Sequence, residues 1–182
     1  MAVERVERLL REFTGVVGAA GIDYAVVGGN AVAVWVATVD EGAVRSTKDV
    51  DVLVRRGDLA RIAEAASPIN LTPIEVLGVH MFVDRENPSP KTAVHLVFAG
   101  ERIRPEYRHS APDVAQSEMS LSGFRVVDLA ALVAMKLQAY RFIDRAHIVD
   151  MLGVGLIDDS LRASLPADLL ERLRAIEVTQ VD

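Results

Sequence analysis

Two short segments carry the residue types that could do chemistry: Gly28-Gly29-Asn30 and Asp49-Val50-Asp51. The second opens an apolar run, Val50 to Val54. In a strand, residues two apart share a face, so Asp49 and Asp51 would project together roughly 6.5–7 Å apart. Two such carboxylates repel each other and are costly to desolvate. A divalent cation between them removes both penalties. Mg²⁺ keeps waters and substrate phosphates in its coordination shell, so two carboxylates suffice to anchor it, and Mn²⁺ takes similar oxygen ligands. Gly28-Gly29 supplies the complement. A strand that ends in two glycines before a helix lets backbone N–H groups approach a phosphate unobstructed, with the positive end of the helix behind them. Taken singly, a glycine pair is most often a turn and an acidic pair is often solvated surface. In this order they form a coherent site for a triphosphate and its metal.

The elements that must hold these segments follow from periodicity. Val3, Val6, Leu9, Leu10, Phe13 and Val17 recur at helical spacing, with Gly18 and Gly21 suited to end that helix. Tyr24 to Val27 reads as a buried strand, and Asn30 as the cap of a helix from Ala31 to about Ala37. Val39 to Lys48 reads as a loop and Val50 to Val54 as the second strand. Asp58 caps a helix over Leu59–Ala66 that Pro68 stops. Glu75–Arg85 and Thr92–Phe98 are expected as strands joined by a turn over 86–90, and Ile103 to Gln116 as irregular. Phe124 to Val127 reads as extended. Asp128 caps a helix over Leu129–Phe142, Ala146–Met151 continues helical, and Pro166 opens a last helix to about Glu177. Strands followed by helices indicate an α+β domain with a helical C-terminal part. A single domain over 1–182 is expected, with its core at about 20–100 and the helical part at 124–178.

Bulk properties bound the rest. The 182 residues carry a net charge of −6 and no cysteine. Thiolate metal sites and disulfides are excluded, and a nonspecific grip on duplex DNA is not expected of an acidic chain. No apolar run approaches a membrane span, and the N-terminal stretch lacks the apolar core of a signal peptide, so a cytoplasmic protein is expected.

The string Val27-Gly28-Gly29-Asn30, followed by Arg45-Ser46-Thr47-Lys48-Asp49-Val50-Asp51-Val52-Leu53-Val54, resembles the signature of DNA polymerase beta-like nucleotidyltransferases. It is most similar to small prokaryotic members that include abortive-infection toxin nucleotidyltransferases. Val126 to Leu129, Met135-Lys136-Leu137, Arg141, Asp144-Arg145 and Asp150 to Leu152 resemble the helical segment that follows the core there. The resemblance implies a nucleotidyltransferase fold with a mixed central sheet flanked by helices. It implies transfer of an NMP from an NTP to a protein, RNA or small-molecule acceptor with Mg²⁺ or Mn²⁺, and a possible toxin–antitoxin setting. Asp49 and Asp51 would bind the metal, while Gly28, Gly29, Asn30 and Lys136 would face the nucleotide.

The family places a third carboxylate on a later strand, where Ala93-Val94-His95-Leu96 has His95. Three readings stay open from sequence. His95 serves as ligand or base; or catalysis is lost and the fold binds a nucleotide or a protein partner; or the acid comes from Asp84 or Glu101. Lys136 also reads as a lysine snorkelling from a packed helix. Arg141, Asp144 and Arg145 read as surface ion pairs. Trp35 reads as core, and Arg102, Arg104, Tyr107, Arg108 and His109 as a basic–aromatic stretch that is either a solvated loop or a contact for a nucleic-acid or nucleotide acceptor.

Overall fold

The computed structural model describes residues 2–179. Seven strands form one mixed sheet in the order β3-β4-β5-β2-β1-β7-β6. The strands are β1 (Tyr24–Val27), β2 (Val50–Val54), β3 (Leu71–Val76), β4 (Val79–Asp84), β5 (Val94–Phe98), β6 (Ser117–Met119) and β7 (Arg125–Val127). The helices are α1 (Ala2–Ala19), α2 (Gly28–Ala37), α3 (Leu59–Ala66), α4 (Leu129–Ala139), α5 (Phe142–Gly153), α6 (Asp159–Ser164) and α7 (Ala167–Val178). The fold is α+β, as the order of strands and helices predicts.

Alternation along the central strands assigns the two faces. Val26, Val52, Val54 and Leu96 are buried under α1 and α3, against Phe13, Val17, Ile62 and Ala66. Ala25, Val27 and Leu53 face the other way and pack with Val32, Leu132, Leu137, Ile148, Met151 and Leu173 from α2, α4, α5 and α7. The second layer therefore brings the helical C-terminal part over the face from which Asp51 projects. The Trp35 indole N–H donates to the Val127 carbonyl at 3.0 Å, which ties α2 to β7.

Four boundaries differ from the sequence expectation. Helix α2 begins at Gly28, with Val27 at its N-cap and no side-chain cap, so Asn30 lies inside the first turn and caps nothing. The stretch 75–85, expected as one strand, is the end of β3 and the whole of β4 with a turn at Leu77-Gly78, while the segment over 86–90 joins β4 to an antiparallel β5 as expected. Strand β3 starts at Leu71, ahead of the expected Glu75, and Pro73 is tolerated within it because β3 is an edge strand. Helix α4 stops at Tyr140, which takes a left-handed φ of 51°, rather than running to Phe142. Strand β6 and helix α6 were not foreseen. The first has three residues, and the second has six, capped by Asp158 accepting from the Leu161 N–H.

Candidate active site

The site begins where β1 ends. Val27 is the antiparallel partner of Asp51 on β2. The next residue, Gly28, has φ of +69° and turns the chain into α2. This turn brings its Cα directly against the Asp51 side chain. A Cβ on Gly28 would lie 2.8 Å from the Asp51 Cγ and collide with Oδ2. Glycine is required here twice over, by conformation and by space. Gly29 is equally close to Thr47, where a Cβ would lie 2.7 Å from the hydroxyl oxygen. Both glycines thus face the Thr47-to-Asp51 segment, and the two segments singled out by composition meet in space.

Asp49 is exposed and lies one residue ahead of β2. Its backbone carbonyl accepts from the Asn30 carboxamide at 2.7 Å, and Asn30 is buried. Asn30 therefore clamps the acidic segment to the glycine bend through that bond.

Asp51 is part-buried, and no donor among the described residues hydrogen-bonds its carboxylate. Burial raises its pKa above the usual carboxylate value, Asp49 adds to this, and the charges of His95, Lys136 and Arg141 oppose it. A desolvated carboxylate without a donor, with a second carboxylate beside it, suits a hard divalent cation. Among the described residues, no three His, Asp or Glu side chains come close enough together to hold a metal. The fit is therefore to an ion held by two carboxylates and completed by substrate oxygens and water, and not to a preassembled three-ligand cage.

His95 is the register partner of Asp51 on the parallel strand β5, so both project from the same face. Its Nε2 lies 3.0 Å from the Pro90 carbonyl. A carbonyl only accepts, so Nε2 carries the proton and the neutral ring keeps its lone pair on Nδ1. Neither alternative acid shares this arrangement. The Asp84 carboxylate accepts from the Glu86 and Asn87 N–H groups, and Glu101 is held by Arg56 in a bidentate pair at 2.7 Å.

Across from Asp51 stands a cluster that the sequence reading did not assemble. Lys136 is buried, with its Nζ 3.2 Å from Asp144 Oδ1. Asp144 is 1% exposed and also accepts from the Arg141 backbone N–H, Nε and Nη2 at 2.6–3.2 Å. This corrects two expectations: Lys136 does not snorkel to solvent, and the Arg141–Asp144 pair is anchored on a buried carboxylate. Desolvation lowers the Lys136 pKa, while Asp144 and Asp51 oppose it. For Asp144 burial works upward, but the Arg141 hydrogen bonds and the Lys136 charge overcome it and hold the pKa below the usual range. The left-handed Tyr140 makes the cluster possible, because the break between α4 and α5 folds Arg141 back beside Lys136. No glycine or proline marks that break.

No family model matches the chain, and no curated protein matches it. Solved structures do. An antigenic nucleotidyltransferase-like protein from Paracoccidioides brasiliensis is 14% identical, with a TM-score of 0.64, and the match covers all of this chain and 91% of that one. The antibiotic-resistance factor ANT(2'')-Ia in solution is 12% identical, with a TM-score of 0.52, covering all of this chain and 86% of that one. At such identities the likeness concerns the backbone alone. No helix among the described residues is long and apolar enough to cross a membrane. The mixed seven-stranded sheet, its two helical layers and these neighbours together show that the chain has the nucleotidyltransferase fold.

Proposed function

We propose that the chain is a metal-dependent nucleotidyltransferase that moves an NMP from an NTP to a hydroxyl-bearing acceptor. The observation that carries this reading is the contact of Gly28, at positive φ, with a part-buried Asp51 carboxylate that has no donor among the described residues. A surface acidic pair or a simple turn has no need of that contact.

In this reading the N–H groups at the start of α2 and the cations Lys136 and Arg141 bind the triphosphate. Asp49 and Asp51 would hold Mg²⁺ or Mn²⁺, which would supply neutralisation of phosphate charge. The acceptor oxygen attacks the α-phosphorus, the bond to the β-phosphate oxygen breaks, and pyrophosphate leaves with that electron pair. His95 takes the acceptor proton on Nδ1, with its ring fixed by the Nε2–H bond to Pro90. Asn30 serves by holding the Asp49 backbone, and any contact of its own with phosphate is secondary. Tyr107 lies within electrostatic reach of Arg141. It lines a polar pocket of about 280 Å³ together with Arg104, Arg108, Tyr140 and Arg172. We place the acceptor on this side of the α4–α5 break. The toxin–antitoxin setting is supported only by the sequence motif.

The test is incubation with each α-labelled NTP and Mg²⁺ or Mn²⁺ beside candidate protein, RNA and small-molecule acceptors. Transfer of label with equimolar pyrophosphate supports the reading, and loss of both in Asp51→Asn assigns them to this site. Metal-dependent NTP binding without pyrophosphate under any condition would favour a binding protein built on the same fold.

A further inference from the structure

We propose that the Arg45–Asp150 ion pair is a positioning latch that sets Asp49 at the glycine bend, an inference that rests on the nucleotidyltransferase reading. Arg45 belongs to the segment that delivers Asp49, four residues upstream. Its guanidinium grips Asp150 on α5 in a bidentate fashion, with Nε to Oδ2 at 2.9 Å and Nη2 to Oδ1 at 3.0 Å. Two parallel charge-assisted bonds fix orientation as well as distance. The Asp150 side chain is only 14% exposed, so one partner is already ordered by its helix.

The pair joins what the site needs joined. Helix α5 holds Asp144, and through it Lys136 and Arg141 beside Asp51. The same helix, at Asp150, holds the strand of chain that leads into Asp49. From Val44 to Asp49, Arg45 is the one described side chain that hydrogen-bonds a helix. The other ties of this segment, Thr47 against Gly29 and Asn30 to the Asp49 carbonyl, run to the glycine bend. The segment is thus stretched between two supports, the bend on one side and α5 on the other. Without the latch, Asp49 retains the Asn30 carboxamide on its carbonyl and the bond of its N–H to the Thr47 hydroxyl, both on the glycine-bend side, and the spacing of the two carboxylates is no longer set from both sides.

The rival role for an exposed arginine here is a direct grip on phosphate. The two roles predict opposite behaviour when Asp150 loses its charge. Wild type, Arg45→Ala, Asp150→Asn and the double variant are to be compared for amide hydrogen exchange over 44–49 without ligand, and for affinity for each NTP with Mn²⁺. The latch predicts faster exchange in both single variants, a comparable loss of roughly tenfold in affinity in each, and a double variant no worse than either single one. The inference is overturned if Asp150→Asn binds as tightly as wild type or tighter while Arg45→Ala weakens, since that assigns Arg45 to the phosphates. Unchanged exchange in both single variants overturns it as well. Failure of the wild type itself to bind any NTP would instead count against the functional reading, and the exchange data would still judge the latch.

Discussion

Gly28 and Asp51 are in contact such that any side chain at the first would collide with the side chain of the second. Gly28→Ala is therefore expected to lose metal-dependent nucleotide binding. It should also destabilise the fold by about 1–2 kcal/mol from the left-handed backbone alone, with the collision added. The collision, unlike the backbone cost, depends on the partner. In an Asp51→Ala background the stability loss from Gly28→Ala should shrink, because the carboxylate is gone, yet stay above the backbone value, because the Cβ at position 51 would still lie 2.9 Å from the new methyl. Denaturant melts of the four proteins in the cycle measure this, and strict additivity would deny the contact.

Asp144 is buried and serves two cations at once. Its replacement by Ala leaves Lys136 in a desolvated place without its partner, and a loss of about 3–5 kcal/mol in unfolding free energy is expected. Lys136→Met/Asp144→Leu should recover much of that stability, because a packed apolar pair has no unpaired charge, yet it should not recover nucleotide binding. Chemical denaturation beside calorimetric NTP titration separates the two. Recovery of both would make the cluster a folding device only.

His147 introduces a pH dependence. It is 7% exposed, its Nδ1 has no hydrogen-bond partner among the described residues, and burial and then the Lys136 charge lower its pKa from 6.5 to about 4. The folded state thus favours the neutral ring. Its contribution is fully present above about pH 6.5 and is lost as pH falls toward 4, where the unfolded chain binds the proton first. The shift corresponds to up to about 3 kcal/mol. Melts of wild type and His147→Phe between pH 7 and pH 4 should show a shallower fall in the variant. Parallel curves would contradict the assignment.

For His95, the Pro90 tether and the absence of a three-ligand cluster among the described residues favour the proposed role of base over that of metal ligand. His95→Gln is expected to lower turnover by roughly 10²–10⁴-fold, the usual worth of a positioned base. Its NTP affinity with Mn²⁺ should stay within about threefold of wild type. A large loss of metal-dependent affinity in this variant would make His95 a ligand.

The legible parts of the site were those written in local chemistry. The strand–glycine–helix bend and the acid pair were readable because conformation and charge constrain those residues one by one. Their meeting followed from the motif, and the antiparallel pairing of Val27 with Asp51 realises it. What escaped was non-local. Arg141 and Lys136 converge only because Tyr140 adopts a left-handed conformation that no glycine announces, and Arg45 meets Asp150 across 105 residues. Asn30 was read as a helix cap from its type and place, yet its side chain bonds outward to Asp49, a choice set by tertiary packing rather than local propensity. The first residues of the edge strand β3 include Pro73, which is unfavourable only for a strand paired on both sides.

The most direct test of the central claim is calorimetric titration of the four NTPs into the wild type and into Asp49→Asn/Asp51→Asn, each with Mn²⁺, with Mg²⁺ and with chelator. The account predicts that at least one NTP binds the wild type with metal, that chelator abolishes the binding, and that the double variant shows none while keeping its fold. Binding that is equal with and without metal, or equal in the double variant, would contradict it.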